Sequence, residues 1–125
     1  MDEEELSSAA LDAAMAVHKW LGPGLLESAY SSAMEIHFSR ANIPFEREAP
    51  IRGSYAGRPL GIVYRADFVL GGKVLIELKC VAALEPVHAA QVLTYLRLAN
   101  LKLGLLLNFN RQRLKEGIRR VVNNL

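Results

Sequence analysis

The sequence predicts an α/β domain in which a mixed four-stranded sheet is flanked by helices, in the order ααβββαβα. Three observations indicate this class. Two segments near the N-terminus place apolar residues at helical spacing, three segments in the middle have strand patterns separated by turns, and a later helical segment leads into one short apolar strand. Because the chain has 125 residues and is 51% apolar, we expect a single domain over residues 1–125.

The first two predicted elements are helices. Residues 5–20 have helical apolar spacing, and the Gly-Pro-Gly sequence at residues 22–24 ends this segment. Trp20 is expected to anchor the core at the end of this helix. A second helix is predicted from about residue 26 to residue 40, and Pro44 follows its end.

Three strands are predicted next, over residues 45–52, 60–70 and 73–81. The pair Gly71-Gly72 indicates a hairpin between the second and third of them. A pairing of residue 70 with residue 73 would bring Asp67 to within one residue of Glu77. The pattern therefore predicts a meander of three strands.

The last three predicted elements are a helix, a strand and a helix. Pro86 is suited to the first turn of a helix that continues to about residue 100. Residues 102–108 are almost wholly apolar, which is typical of a strand covered on both faces. A basic helix is predicted over residues 113–122, and it completes the order given above.

The gross composition excludes several classes of protein. The acidic start MDEEE is the reverse of a basic signal peptide, and no apolar run reaches the roughly 18 residues of a membrane span. Cys80 is the only cysteine, so the chain has no internal disulfide and no zinc site with two thiolates. We therefore expect a cytoplasmic protein that does not enter a membrane.

Charge is distributed unevenly along the chain. Residues 1–50 contain 3 Lys/Arg and 9 Asp/Glu, a net charge of −6, whereas residues 51–125 contain 12 and 4, a net charge of +8. A basic surface in the second half would attract a polyanion such as nucleic acid. The alternative is an ordinary solvated helix face.

Three charged residues lie in the predicted second and third strands. Asp67 is flanked by apolar residues, and Glu77 and Lys79 are two apart, hence on one face of a strand. Charges at such positions are costly unless they are paired or hold a metal. Two converging carboxylates would suit Mg²⁺ or Mn²⁺. The alternative is a buried salt bridge that holds the strand register.

Two further patterns involve helices. Gln91 and Tyr95 are four apart, so they share a face of the predicted helix after the third strand. Glu27 lies in the first turn of the second helix, where the helix dipole stabilises an acid, and Tyr30 follows it on the same face. Glu27 is therefore either a charge that favours the helix start or a residue directed at a site.

The stretch Gly24-Leu-Leu-Glu27-Ser-Ala-Tyr30 resembles the motif of the GxxExxY protein family, and the resemblance extends over about residues 6–122. Through that family the chain resembles the PD-(D/E)xK nuclease superfamily. The superfamily motif would be Asp67 followed by Glu77-Leu78-Lys79, with Ala66 in place of the usual proline. Gln91 to Tyr95 resembles the QxxxY motif of the exonuclease-like branch.

The resemblance implies a metal-dependent nuclease that hydrolyses phosphodiester bonds, of DNA in preference to RNA. Asp67 and Glu77 would bind Mg²⁺ or Mn²⁺, with Glu27 as a third carboxylate and the backbone carbonyl of Leu78 as a further ligand. Lys79 would position or activate the attacking water and stabilise the transition state.

The remaining implied roles concern substrate and assembly. Gln91 and Tyr95 would support the water or the phosphate. The nucleic-acid backbone would contact arginines of the basic half, namely Arg65, Arg97, Arg111 and Arg113. A homodimer is expected to be possible, because one small domain offers little surface for a duplex. The alternative function is a catalytically silent module on the same scaffold that binds nucleic acid or a partner protein.

Overall fold

A computed structural model describes residues 1–125, with three α-helices, five strands and one 3₁₀ helix. None of its helices combines the length and the apolar character needed to cross a membrane. The elements in chain order are α1 (Glu3–Leu21), α2 (Glu27–Arg40), β1 (Phe45–Tyr55), β2 (Arg58–Leu70), β3 (Val74–Lys79), α3 (Pro86–Ala99), β4 (Leu103–Asn108), the 3₁₀ helix (Leu114–Gly117) and β5 (Ile118–Val122).

The strands form one mixed sheet in the order β1-β2-β3-β4-β5. The pairs β1–β2, β2–β3 and β4–β5 are antiparallel, whereas β3 and β4 are parallel. Parallel neighbours need a crossover, which α3 supplies. The predicted α/β class with a mixed sheet flanked by helices is confirmed.

The segment predicted as a basic helix over residues 113–122 is instead a short 3₁₀ helix followed by β5, so that prediction was wrong and the sheet has five strands rather than four. Gly117 disfavours a continued helix, and the β-branched residues after it favour a strand. β5 also supplies hydrogen-bond partners to the outer edge of β4. Ile118 and Val121 pack against apolar layers on opposite faces of the sheet.

Apolar layers cover both faces of the sheet. The larger one, here the α1/α2 layer, contains residues from α1 and α2 together with Phe68, Ile76 and Leu78. The smaller one, here the α3 layer, contains Ile51, Ala66, Leu75, Val92, Leu96 and Leu106. Trp20 belongs to neither, because its side chain is 88% exposed, so the prediction of a core anchor there was wrong.

The hairpin between β2 and β3 sets the register of the candidate site. Leu70 pairs with Val74, not with Lys73, because the turn holds three residues. The register then runs through Phe68 opposite Ile76. Continued by one residue, it places Asp67 directly opposite Glu77, a closer juxtaposition than the two-residue turn predicts.

Candidate active site

Asp67 and Glu77 meet on the β2–β3 pair. Asp67 Oδ2 accepts a hydrogen bond of 2.8 Å from the backbone N–H of Leu78, which ties the two strands together at this level. Glu77 is only 2% exposed, whereas Asp67 is half-buried. The two carboxyl groups therefore lie side by side, with Glu77 on the interior side of the pair.

The surroundings of Glu77 favour its protonated form in the absence of a cation. The pKa of Glu77 is raised to about 9, first by burial and then by the hydrogen bond and the negative charge of Asp67. The Tyr64 hydroxyl and the Lys79 ammonium act in the opposite direction. Glu77 Oε1 is buried and has no hydrogen-bond partner. A buried acceptor without a partner is costly, so this oxygen needs a proton or a cation.

These residues fit a divalent cation of the magnesium type. Two adjacent carboxylates repel one another unless a proton or a cation lies between them. Mg²⁺ is commonly held by one or two carboxylates and completes its shell with water and substrate phosphate. No group of three His, Cys, Asp or Glu side chains is arranged to hold a metal, so a cage built wholly of protein side chains is absent. The side chains that could contribute to such a site are therefore Asp67 and Glu77, and solvent or substrate oxygens would have to complete the shell.

Glu27 lies at the start of α2 and faces Asp67 across a polar cleft of about 180 Å³. Its pKa is raised, first by partial burial and then by the Asp67 carboxylate, while Lys79 and the backbone N–H of Cys80 lower it. Glu27 is nevertheless exposed as a residue. It is thus electrostatically coupled to the site but does not close a three-carboxylate cluster.

The spacing of Gly24, Glu27 and Tyr30 has a structural basis in the turn before α2. The Tyr30 hydroxyl donates to the carbonyl of Gly22 at 2.5 Å and accepts from the N–H of Leu25 at 3.1 Å. Gly24 has φ +100°, which favours glycine. The Tyr30 ring is fully buried and stacks on Phe109 at 4.6 Å. Tyr30 therefore fixes the turn, and through it the position at which the helix of Glu27 begins.

Lys79, the last residue of β3, is partly buried and acts electrostatically on both Glu77 and Glu27. On α3, Tyr95 is half-buried and lies near Glu77, whose charge contributes to the raised pKa of Tyr95 after burial itself. Gln91 is exposed one turn earlier on the same helix. The fold thus brings Lys79 and Tyr95 toward the carboxylate pair and leaves Gln91 at the surface.

Tyr64 is a neighbour of the site that the sequence analysis missed. Its ring stacks on Tyr95 with a centroid distance of 4.0 Å and an interplanar angle of 8°. Burial raises its pKa, and the Glu77 carboxylate raises it further. The only local signal was an aromatic residue three positions before Asp67 in a strand. The stack is a tertiary contact between β2 and α3, so strand spacing alone did not indicate it.

The side chains of β2 change faces at Asp67. Phe68 packs in the α1/α2 layer, whereas Ala66 packs in the α3 layer. Residues two apart in a regular strand share a face, so the alternation breaks between them. In β1, Glu48 lies between the partners of these two residues and has φ +53°, a rare conformation for a residue other than glycine. This break lets Asp67 contact β3 and also line the cleft with Glu27.

Asn108 holds the loops beyond β3 and β4 together. It is fully buried, accepts from the N–H of Val81 at 3.1 Å and donates to the carbonyl of Val81 at 2.9 Å. It also accepts from the N–H of Asn110 at 3.2 Å. The sequence analysis did not single out Asn108, although an amide at the end of an apolar strand could have indicated it. The contacts of Asn108 keep the segment after Lys79 in place.

The four predicted nucleic-acid contacts lie on β2, on α3 and in the loop between β4 and the 3₁₀ helix, which contains both Arg111 and Arg113. Arg65 is exposed on β2, two residues before Asp67, and Arg97 is exposed near the end of α3. Arg111 donates to the carbonyl of Ala82 at 3.2 Å, beside the loop that follows β3. Arg113 lines a pocket with other basic residues, namely His18, Lys19 and Lys115. Arg65 and Arg111 thus flank the candidate site in sequence or by contact, whereas Arg97 makes no contact that links it to the site.

Comparison with known proteins agrees with this arrangement. Neither curated proteins nor solved structures gave a match to the chain. A family model described as the PD-(D/E)XK nuclease superfamily matches residues 4–121, which is nearly the whole chain and includes every element of the site. The chain therefore belongs to the PD-(D/E)XK nuclease superfamily.

Proposed function

We propose that this protein is a metal-dependent nuclease that hydrolyses phosphodiester bonds of nucleic acid, DNA in preference to RNA. The observation that carries the proposal is the buried Glu77 carboxyl, with one oxygen lacking a partner, next to Asp67. Superfamily membership supports the reaction class. The Gly24, Glu27 and Tyr30 spacing supports assignment to the GxxExxY branch, and we treat residues 1–125 as one nuclease domain.

In this proposal Asp67 and Glu77 hold Mg²⁺, or Mn²⁺ in its place, and the backbone carbonyl of Leu78 is a further donor. Glu27 approaches from the other side of the cleft and adds a third negative charge. A bound divalent cation would activate a water and offset negative charge on the phosphate. The raised pKa of Glu77 fits this role, because a cation would take the place of the proton that the pair otherwise shares.

The other polar residues act on the substrate. The Lys79 ammonium is proposed to orient the attacking water and to stabilise the charge that develops on the phosphoryl oxygens, and its electrostatic effect on Glu77 and Glu27 supports this role. The Tyr95 hydroxyl is proposed to hold a phosphate oxygen, with its ring fixed by the stack on Tyr64. Gln91, exposed on the same helix, would assist once nucleic acid covers that surface.

The basic half of the chain is proposed to hold the nucleic-acid backbone through Arg65, Arg97, Arg111 and Arg113. Neutralising phosphates with arginine supplies sequence-independent affinity. Association of two copies would extend the surface available to a duplex, and we propose a homodimer as the form that acts on long substrates.

The test is a panel of labelled single- and double-stranded DNA and RNA substrates, incubated with Mg²⁺ or Mn²⁺. We expect wild-type protein to cleave DNA, and Glu77→Ala and Lys79→Ala to lose this activity while keeping the far-UV circular dichroism of the wild type. Equal cleavage by wild type and Lys79→Ala would show that the assigned roles are wrong.

One observation favours a second candidate, a catalytically silent module that binds nucleic acid or a partner protein. No group of three acidic or metal-binding side chains is assembled, and Glu27 remains exposed. Calorimetric titration with Mn²⁺ separates the two candidates. A silent module should show no metal binding that depends on Asp67 and Glu77, whereas the nuclease should show it.

A further inference from the structure

The hairpin formed by β1 and β2 extends beyond the rest of the sheet. β2 pairs with β1 from Arg58 to Leu70, but with β3 only from Phe68 to Leu70. Residues 52–65 therefore form a two-stranded segment with no third strand beside it. This segment is here called the ribbon. Isolated two-stranded hairpins are only marginally stable in water. Packing against the rest of the protein contributes little to the stability of such a ribbon. Its length is therefore better explained by contact with another molecule.

The ribbon carries only positive charge. Between Glu48 and Asp67 the chain has three arginines, Arg52, Arg58 and Arg65, and no acidic residue. All three are exposed, and the ion pairs of the protein involve other arginines. Exposed guanidinium groups without acidic partners are suited to phosphate, which they bind in a bidentate manner.

One face of the ribbon continues the face of the candidate site. Ile51 pairs with Tyr64, and Tyr55 pairs with Arg58 at the tip. The register of the pair shifts twice between Ile51 and Tyr55, but at both places the unpaired residue belongs to β2. β1 has no extra residue there, so Ile51 and Tyr55, which are four apart, share a face. The face that carries Tyr64, stacked on Tyr95 beside Glu77, thus leads outward to Tyr55 and Arg58.

The tip is a tight, exposed turn. Ala56 and Gly57 both have positive φ, 52° and 76°, as a type I′ turn requires. Tyr55 is 75% exposed and Leu60 is 59% exposed, so neither side chain is used by the core. Along β1 the distance from the tip to the level of Asp67 takes seven residue steps, from Tyr55 to Glu48, because β2 has two extra residues at its register shifts. Seven steps reach about 23 Å at about 3.3 Å per residue, which corresponds to roughly seven base pairs of duplex DNA.

We propose that the ribbon is a grip for double-stranded DNA, in which Arg52, Arg58 and Arg65 bind backbone phosphates and Tyr55 contacts the groove at the tip. A two-stranded ribbon fits the major groove, which is about 12 Å wide. The inference rests on the proposed nuclease function for the position of the scissile bond. It deepens that function by naming a duplex with an arm of roughly seven base pairs as the substrate.

The test measures duplex binding without cleavage, by fluorescence anisotropy of the full chain in EDTA. The variant is Arg52→Ala/Arg58→Ala. The matched control is Arg40→Ala/Lys102→Ala, which removes two exposed basic residues outside the ribbon. With a duplex of about 24 base pairs, we expect the ribbon variant to lose at least about tenfold in affinity, and its plot of log affinity against log salt to lose a slope of about two.

The control variant should bind this duplex like wild type, and a duplex of about six base pairs should not distinguish the ribbon variant from wild type, since it is too short to span the ribbon. Unchanged affinity of the ribbon variant for the long duplex overturns the proposal. The ribbon proposal can fail while the nuclease proposal stands, because binding in EDTA is measured without cleavage. That outcome would be an active enzyme whose ribbon does not contribute to duplex binding.

A second copy of this chain is the competing occupant, because Leu60, Ile62 and Val63 are also exposed on the ribbon. Sedimentation of wild type and Leu60→Asp tests it. One outcome is that wild type is a dimer, that Leu60→Asp is a monomer, and that the two proteins bind the long duplex with equal affinity. In that case the ribbon is an interface between copies and the proposal is wrong. Retention of the same assembly state by both proteins, with the loss in Arg52→Ala/Arg58→Ala, supports the DNA grip.

Discussion

Asp67 accepts a hydrogen bond of 2.8 Å from the backbone N–H of Leu78, and this bond joins β2 to β3 at the level of Glu77. The bond takes one lone pair of Oδ2, so Oδ1 is the less engaged oxygen of Asp67 for the proposed metal. Asp67 therefore has a structural role and a proposed chemical one. Different substitutions at this position separate the two roles.

Asp67→Asn should abolish activity with little effect on stability. An amide oxygen can still accept the bond from Leu78, but the side chain no longer carries a charge for a cation. Asp67→Ala removes the acceptor as well, and the Leu78 N–H without a partner costs about 1–3 kcal/mol. We expect both variants to lose at least about 100-fold in Mg²⁺-dependent cleavage, equivalent to about 3 kcal/mol. Thermal melting distinguishes them, and a large loss of stability in Asp67→Asn would contradict the assignment of the bond.

Metal binding should release a proton from Glu77. The pKa of Glu77 in the metal-free protein is about 9, so its carboxyl is protonated at neutral pH. Because the cation needs the carboxylate, apparent Mn²⁺ affinity should rise by up to about tenfold per pH unit and level off above the pKa of about 9. Calorimetry in buffers of different ionisation enthalpy measures the released proton. Glu77→Gln should bind Mn²⁺ weakly with no such dependence, and an affinity for wild type that ignores pH would rule out this coupling.

The same carboxyl should make the metal-free protein less stable as pH rises. The pKa of Glu77 is about 9 in the folded state and 4.5 in the reference state. Between these values the folded protein retains a proton that the unfolded chain has lost, so the free energy of unfolding falls with rising pH and levels off above the folded pKa. Urea unfolding in EDTA at mildly acidic and mildly alkaline pH should show a shallower fall for Glu77→Gln than for wild type. Added Mg²⁺ should restore wild type alone, since it binds the folded carboxylate.

Local sequence patterns were sufficient for α1, α2, α3 and the meander of β1 to β3, but not for the last predicted helix. Pro86 indicated a helix start, the Gly-Pro-Gly sequence indicated a helix end, and the apolar run before Asn108 indicated a strand. These are local signals, and the fold confirms the three elements that they predicted. The opposition of Asp67 and Glu77 depended on turn length. With three residues in the turn, Leu70 pairs with Val74 and the two acids become directly opposed.

The rest depended on tertiary contacts that spacing does not encode. Residues 118–122 become a strand because the edge of β4 offers hydrogen-bond partners, a fact that is invisible in a charge pattern. Trp20 is exposed although its size and position suggested the core. Tyr64 stacks on Tyr95 only because β2 and α3 meet on one face of the sheet. Each of these outcomes is set by a neighbour remote in sequence.

Tyr30→Phe should move Glu27 while the core stays packed. Phenylalanine keeps the stack on Phe109 but removes both hydrogen bonds that fix the turn from Gly22 to Leu25. We expect a loss of about 1–3 kcal/mol in the free energy of unfolding, because two buried or half-buried bonds are lost. If Glu27 contributes to the site, Mn²⁺ affinity should also fall, and Glu27→Gln should reproduce that fall with little loss of stability. If Tyr30→Phe loses stability but neither variant changes the Mn²⁺ affinity, then Glu27 is only a charge that favours the helix start.

The stack of Tyr64 on Tyr95 predicts different effects for two substitutions of Tyr64. Tyr64→Phe keeps the rings together and removes a hydroxyl that lowers the pKa of Glu77, so that pKa should rise further and Mn²⁺ affinity at neutral pH should fall. The pH at which the affinity levels off should shift upward, whereas the affinity at high pH should match wild type. Tyr64→Ala removes the stack as well, and an aromatic pair contributes about 0.5–1.5 kcal/mol beyond its buried area. It should therefore also lower stability and loosen Tyr95. If both variants lose cleavage while their Mn²⁺ affinity stays at the wild-type value, the two tyrosines act on the substrate phosphate and not on Glu77. In that case the role of Tyr64 is to hold Tyr95, whose hydroxyl is the one proposed to contact substrate.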